Sequence, residues 1–427
     1  MARGKKKENL TPEERLQAAL VPESEQPYKV PENWCWTYLK PISKIRTGKK
    51  DANYGSADGE YPFFTCAAEP IRCHGYSFDC NAILLAGNGD INNISRYNGK
   101  FEAYQRTYVV EILEPISIDY VFYWFKYRWF DFNKDKMFGT AIPYIRLGNL
   151  QEFPIPVPSV TQQQRIVDRI ESLFAKLDEA KQKAQDALDS FETRKAAILH
   201  KAFTGELTAQ WRKEHGVGME SWAKKRFDEV ATIKSNLVDP ATFPDFPHIA
   251  PDNIEKKTGV LLEYNTVSED GVTSGKHRFY PGQILYSKIR PYLSKVVVVD
   301  FDGLCSADMY PIEAKGNTKC LWYYMLSEEF LGQASTAGSR SVLPKINQKE
   351  LSALTVVLPT LSDEQTEIVR ILDDLFAKEQ QAKETAEAVL EQIDLIKKSI
   401  LARAFRGELG TNDPTEESAV GLVRNII

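Results

Sequence analysis

The sequence predicts an α+β fold: two mixed α/β domains joined by two long helices that pair as an antiparallel coiled coil with pseudo-twofold symmetry. Three observations predict it. A phrase is written twice, "SLFAKLDEAK" at 172–181 and "DLFAKEQQAK" at 374–383. Apolar residues around both copies step alternately by three and four, the spacing of a coiled-coil seam. Each copy closes a segment of similar size whose ends match the other's and whose middle does not.

The helices come first. The repeat runs from Gln162 to Leu207 and from Glu364 to Leu409 without a gap, at a constant offset of 202. Pro158 and Pro359 precede it, with Thr161 and Ser362 or Asp363 as cap candidates. Gly205 and Gly407 stand where a left-handed C-cap would end each helix. No Gly or Pro lies between, so each copy is expected as one uninterrupted helix, roughly 60 Å long at about 1.5 Å per residue. The first seam runs through Ile166, Ile170, Leu173, Leu177, Ala180, Ala184, Ala187, Phe191, Arg194 and Ile198. The second runs through Ile368, Leu372, Leu375, Glu379, Ala382, Ala386, Val389, Ile393, Ile396 and Ile400. Each carries one charge. Setting Arg194 against Glu379 in an antiparallel pair places Leu177 against Ile396 and Phe191 against Ala382, large facing small.

The domains follow. Both open on tryptophan, "PENWCWTYL" and "MESWAKKRF". Both end alike, so that Pro143 matches Pro344, Leu150 matches Leu351 and Pro158 matches Pro359. The aromatic stretches "DYVFYWFKYRWF" and "CLWYYMLSEEF" are expected as core helices rather than as platforms for stacked bases. Runs such as "AILLAGNGD" and "KVVVVDFDG" read as short strands with turn signals. The expected boundaries are a flexible tail at 1–27 with a short helix candidate at "TPEERLQAAL", a first domain at 28–158, and a spacer helix at 159–207. A linker at 208–220, a second domain at 221–359, a second spacer helix at 360–409 and a loose tail at 410–427 complete the chain.

Composition narrows the function classes. The chain has 427 residues, 43% hydrophobic and 26% charged, an ordinary globular balance for two or three domains. No apolar run approaches the roughly 18 residues of a membrane span, and no apolar stretch follows the basic N-terminus, so a cytoplasmic protein is expected. Six cysteines suit reduced thiols. Cys66, Cys73, His74 and Cys80 lack the pair spacing of a structural zinc site, so buried thiols are expected and no metal. A net charge of −5 argues against a uniformly basic nucleic-acid binder, although DNA responds to a local patch rather than to the total. "GVTSGKH" has the wrong spacing for a phosphate loop, and the lone G-x-G of "AGNGD" is too weak for a nucleotide site. Neither N-P-P-[YF] nor H-E-x-x-H occurs, so no catalytic residues are predicted.

Together "PSVTQQQRIV", "LFAK", "KAFTGELTAQWR" and the opening "VPENWCW" resemble the specificity subunits of type I restriction-modification systems. The resemblance covers essentially Val21 to Leu409, with the motifs present twice and in order. It implies that the two domains are target recognition domains, each reading one half of a split double-stranded DNA sequence. It implies that the helices set the gap and dock two modification subunits, with restriction subunits as further partners. It implies no cofactor in this chain: S-adenosylmethionine, ATP and Mg would belong to those partners. The family's glutamate at the helix start is Gln162 in the first copy and Glu364 in the second. A coiled-coil interaction protein without DNA specificity is the alternative.

Bases are read by Arg or Lys on guanine and by Asn or Gln on adenine, and phosphates by Lys, Arg, Ser and Thr. Loops rich in these types nominate Lys44, Arg46, Lys49, Lys50, Asn88, Asn92, Asn93, Arg96, Tyr104 and Arg106 in the first domain. In the second they nominate Lys234, Asn236, Lys276, His277, Arg278, Lys288, Arg290, Tyr292, Lys295, Ser339 and Arg340.

Overall fold

The computed structural model describes residues 10–337 and 344–427. The chain divides into two compact units, Met1–Lys183 with Ala388–Ile427, and Ala184–Glu387. Each unit thus combines the domain and helix start of one half with the helix end of the other.

In the first unit the strands are β1 (Cys35–Tyr38), β2 (Ser43–Thr47), β3 (Tyr61–Phe64), β4 (Ile71–Cys73), β5 (Phe78–Ala86), β6 (Ile94–Ala103), β7 (Thr107–Ile112) and β8 (Pro154–Val157). The main sheet has the order β2-β7-β5-β6-β3-β4, and β1 pairs with β8 apart from it. The run "AILLA" in β5 is apolar on both faces because both are covered. Ile83 and Leu85 face one core, Ala82 and Leu84 a smaller one with Phe64, Phe101 and Val109. The aromatic stretch forms a helix, Ile118–Asn133, that buries Tyr120, Trp124, Phe125 and Trp129. Each such ring contributes about 2 kcal/mol on burial. The polar handles of two are satisfied: Trp124 Nε1 donates to Pro154 O at 2.8 Å, and Tyr120 OH donates to Pro156 O at 2.7 Å.

Both expected tails are packed where they are described. A helix at Pro12–Ala19 starts on a capping box between Thr11 and Glu14 and buries Leu16 and Ala19. A helix at Ala419–Ile426 buries Ala419 and Val423 in the same core. Both were hidden by their shortness: the first buries only two apolar residues one turn apart, and the second, though apolar, follows a polar stretch beyond the repeat.

The second unit contains β9 (Trp222–Arg226), β10 (Ala231–Ile233), β11 (Leu237–Val238), β12 (Pro247–Ile249), β13 (Asn265–Thr266), β14 (Lys276–Phe279), β15 (Ile284–Ser287), β16 (Val296–Val298), β17 (Gly303–Cys305), β18 (Met309–Ala314) and β19 (Thr355–Pro359). One sheet has the order β10-β18-β15-β16, a second the order β11-β14-β17-β12-β13, and β9 pairs with β19. The second aromatic stretch, expected as one core helix, spans two: Thr318–Met325, which buries Leu321, Tyr323 and Tyr324, and Glu328–Ala337, which buries Phe330.

The second long helix is continuous over Ser362–Ala404, but the first runs Val160–Asp189, breaks at Ser190 and resumes at Phe191–Phe203. The Ser190 hydroxyl donates to Asp186 O at 2.8 Å, a back-bond that bends helices, and the second copy has Gln392 at that position. Both predicted C-caps are left-handed, Gly205 at φ 82° and Gly407 at φ 76°. Within each unit the helix segments run antiparallel. In the second unit Arg194 grips Glu379 at 2.8 Å, while Lys383 lies over Phe191 and Lys195 over Phe376. In the first, Lys397 meets Asp178 at 2.6 Å and lies over Phe174. Along the seam Ala184, Ala386 and Ile393 are buried, Leu177 is half-buried, and Ala382 and Ile396 stay exposed.

Candidate nucleic-acid interface

In the first unit, loops leaving one end of the sheet are tied together by backbone bonds. Gly87 N donates to Arg106 O at 2.8 Å, Gln105 N to Lys50 O at 2.9 Å, and Ile145 N to Gly87 O at 2.9 Å. Asn93 Nδ2 donates to Cys66 O at 2.9 Å. The approach is close enough to require glycine: a Cβ on Gly87 would sit 2.3 Å from Arg106 O. The result is a cleft of about 460 Å³ walled by Thr47, Gln105, Arg106, Tyr108, Tyr144 and Arg146.

This end gathers Lys49, Lys50, Asn88, Asn92, Asn93, Tyr104 and Arg106 of the nominated residues. Lys49, Asn92 and Arg106 are exposed, and Lys50 lies over the Tyr54 ring at 4.3 Å. It does not gather three others. Arg46, on β2, is held by Glu111 and lies over Phe78. Arg96, on β6, is held by Asp119 of the aromatic helix. Lys44 stands exposed on β2, opposite Glu111 in the register. Two residues that the sequence reading passed over join the cleft, Gln105 and Arg146. The Arg146 guanidinium stacks 3.8 Å from the Phe138 ring centroid and donates to Tyr144 OH at 3.3 Å. The repeat held a signal for it, since at the offset of 201 that joins Pro143 to Pro344 it matches another polar residue, Asn347.

In the second unit the corresponding end is built the same way. Ile346 N donates to Lys288 O at 2.9 Å and Arg290 N to Pro344 O at 2.7 Å, bonds that repeat Ile145 to Gly87 and Gly89 to Pro143. The Lys288–Tyr292 loop presents Arg290 and Tyr292 to solvent. Arg290 has φ 48°, the left-handed region, where the first unit has Gly89 at φ 71°. Lys288 lies 3.7 Å from Asp308, which also takes Lys345 at 3.3 Å. Lys234 leaves β10 at this end and pairs with Glu313 at 2.7 Å. Ser339 and Arg340 lie outside the described residues.

The remaining nominated residues are held within the second unit. Lys276 is buried with its ammonium on Ser274 O at 2.9 Å, and burial lowers its pKa. His277 is buried too; burial first, then Lys288, lowers its pKa, which favours the neutral ring. Arg278 sits among Phe243, Phe246 and Tyr280, and its backbone N donates to Asn236 O at 3.2 Å. Lys295 donates to Pro251 O at 2.7 Å.

Among the described residues no group of His, Cys, Asp or Glu is arranged to hold a metal ion. Cys35, Cys73, Cys305 and Cys320 are buried, and Cys66 and Cys80 half-buried. No described helix is long and apolar enough to cross a membrane.

Comparison with known proteins places this architecture. The type I restriction modification DNA specificity domain matches residues 31–188 and again 219–392. The chain is 42% identical over 403 residues to the type I restriction enzyme EcoDI specificity subunit of Escherichia coli, covering 89% of this chain and 90% of that one. It is 24% identical over 300 residues to the EcoKI specificity subunit of Escherichia coli strain K12, covering 64% of this chain and 61% of that one. The fold is similar to the crystal structure of the HsdS subunit from Thermoanaerobacter tengcongensis, with TM-score 0.63 and 18% identity over 90% of this chain and all of that one.

Proposed function

The chain belongs to the specificity subunits of type I restriction-modification systems, and we propose that its two loop-bearing sheet ends each read one half of a bipartite double-stranded DNA target. As a member of that family it is a non-catalytic DNA-recognition subunit. One observation supports the assignment of the readers. The two sheet ends share backbone bonds at matching positions, Ile145 to Gly87 with Ile346 to Lys288 and Gly89 to Pro143 with Arg290 to Pro344, while their exposed side chains differ. A shared frame with different contents is what two readers of two half-sites need.

In the first domain Arg106, Gln105, Asn92 and Asn93 are assigned to bases, with Lys49 and Lys50 on phosphates. In the second, Arg290 is assigned to bases and Lys288 and Tyr292 to the backbone. Two half-sites held on one chain gain affinity through effective concentration, and the helices set the gap between them. Leu395 and Ile396 leave 69% and 41% of their surface exposed on the second helix. Such apolar exposure suits the docking of modification subunits, two per chain, which would bring S-adenosylmethionine; restriction subunits would bring ATP and Mg. The protein is assigned to the cytoplasm with its DNA.

The test is to co-express the chain with its modification subunit and map methylated positions across a genome. A split motif with one fixed gap supports two readers. One continuous motif would leave a domain without a target, and no methylation above background would overturn the reading.

A further inference from the structure

The two helix starts are closed by unlike polar locks. In the second unit Glu364 is fully buried and takes Arg212 at 2.7 Å, Thr208 at 2.8 Å and the Trp222 indole at 3.0 Å. Burial alone would raise its pKa, but these donors outweigh it and hold the carboxyl below its ordinary value. In the first unit the equivalent Gln162 is equally buried and takes the Trp34 indole at 3.1 Å. Its amide donates to Asn412 at 2.7 Å. Both locks use a strap from the other half of the chain. Thr208 and Arg212 follow the first helix and close the second. Asn412 follows the second helix and closes the first. At the repeat offset Gly410 and Pro414 replace Thr208 and Arg212, so the second strap has no cation to offer.

We infer that these locks are an address: they make the first half of the chain pair with the second and reject pairing of either half with another copy of itself. In a pair of first halves, Arg212 would be buried against Gln162 with no carboxylate. In a pair of second halves, Glu364 would be buried against Asn412 with no cation. Removing one partner of a buried ion pair is strongly destabilising, whereas the amide pair is self-sufficient. The helix seam points the same way. Arg194 meets Glu379 in the native pairing, whereas the repeat would set it against Leu177 in a pair of first halves and Glu379 against Ile396 in a pair of second halves. The inference goes beyond the DNA-reading assignment and does not depend on it. Its consequence is that every closed pair of helices carries two dissimilar domains.

The expected linker contains the helix Ala209–His215, and a protease site inserted after its exposed C-cap Gly216 lets the folded full chain be cut into its halves. After a urea pulse and refolding, native mass spectrometry counts the pairs. For the unaltered sequence, mixed pairs should exceed either self-pair by more than tenfold. In a background without two other charged ties between the halves, R194L/E379I/E416Q, the exchange Q162E/E364Q conserves composition and should invert the preference, giving mainly self-pairs. A statistical mixture from the unaltered sequence, or mixed pairs persisting after the exchange, would overturn the inference. The uncut chain gives a second reading. E364Q should lower its melting midpoint, and adding R212Q, which sets a neutral amide against it as Asn412 does against Gln162, should recover most of the loss. No loss with E364Q, or no recovery, would count equally against it.

Discussion

The two units share a frame and differ in what they hang on it. The first builds β2-β7-β5-β6 and the second β10-β18-β15-β16, the same order with the same antiparallel pairings. Each carries an aromatic helix over that sheet and a strand pair, β1 with β8 or β9 with β19, at the domain's entry and exit. Between the first frame strand and the third, the first unit inserts only β3 and β4, while the second inserts β11 to β14, which join β17 in a separate five-stranded sheet. The frame positions one cluster of loops, and the insert is free to change. Alterations to the frame should therefore act on stability, and alterations to the loops on recognition of one half-site alone.

The largest expected effect separates the two locks. Arg212→Ala leaves Glu364 buried without its cation and should destabilise the second unit by about 3–5 kcal/mol. Asn412→Ala removes one neutral partner from Gln162 and should cost the first unit about 1–2 kcal/mol. Urea unfolding of the two variants checks the ratio, and equal losses would mean that the buried charge in the second lock has no special weight.

The next effect separates the readers. Arg290→Ala should weaken binding by about 1–3 kcal/mol on DNA carrying both half-sites and relax discrimination at one half only. Arg106→Ala should do the same at the other half. Methylation mapping with each variant shows whether the relaxed positions fall on opposite sides of the gap. A loss spread over both halves would break the division of labour.

How far the sequence went differs between frame and site. The seam pair Arg194–Glu379 was legible because a charge in an apolar period needs a partner, and only one register supplies it. Gly205 and Gly407 were legible because only glycine ends a helix cheaply in the left-handed region. The break at Ser190 was not, since a serine that bonds backward looks like any polar surface residue. Arg46 and Arg96 were nominated for DNA yet are held by Glu111 and Asp119, partners brought to them by strand register and a packed helix. Lys276 and His277 sit on β14 of a five-stranded sheet assembled from segments as far apart as Leu237 and Cys305, and local sequence does not reveal such burial.

A smaller effect tests Arg290's backbone. A non-glycine residue in the left-handed region costs about 1–2 kcal/mol. The first unit avoids this with Gly89. Arg290→Gly should therefore raise the stability of the second unit by roughly 1 kcal/mol while lowering affinity for DNA. Thermal melting and a DNA shift assay on the same variant separate the two outcomes. If stability falls instead, the guanidinium contributes to the fold as well as to recognition.

The smallest effect is in acid and belongs to the first unit. Glu416 follows the second helix and takes Arg165 at 2.7 Å and Thr161 at 2.9 Å. Arg165 first among its neighbours lowers its carboxyl from the ordinary 4.5 to about 2. A depressed carboxyl stabilises the fold fully above its unfolded pKa and loses that contribution as pH falls toward the folded value. The first unit should thus hold its full advantage above pH 4.5 and lose it progressively toward pH 2. The melting midpoints of the unaltered chain and of Glu416→Gln, followed from pH 6 downward, should differ by a constant amount at first and then converge. Convergence already at pH 6 would mean that the strap's hold on the first helix does not depend on the Glu416 carboxylate. A constant gap down to pH 3 would mean that the carboxylate works by packing rather than by charge.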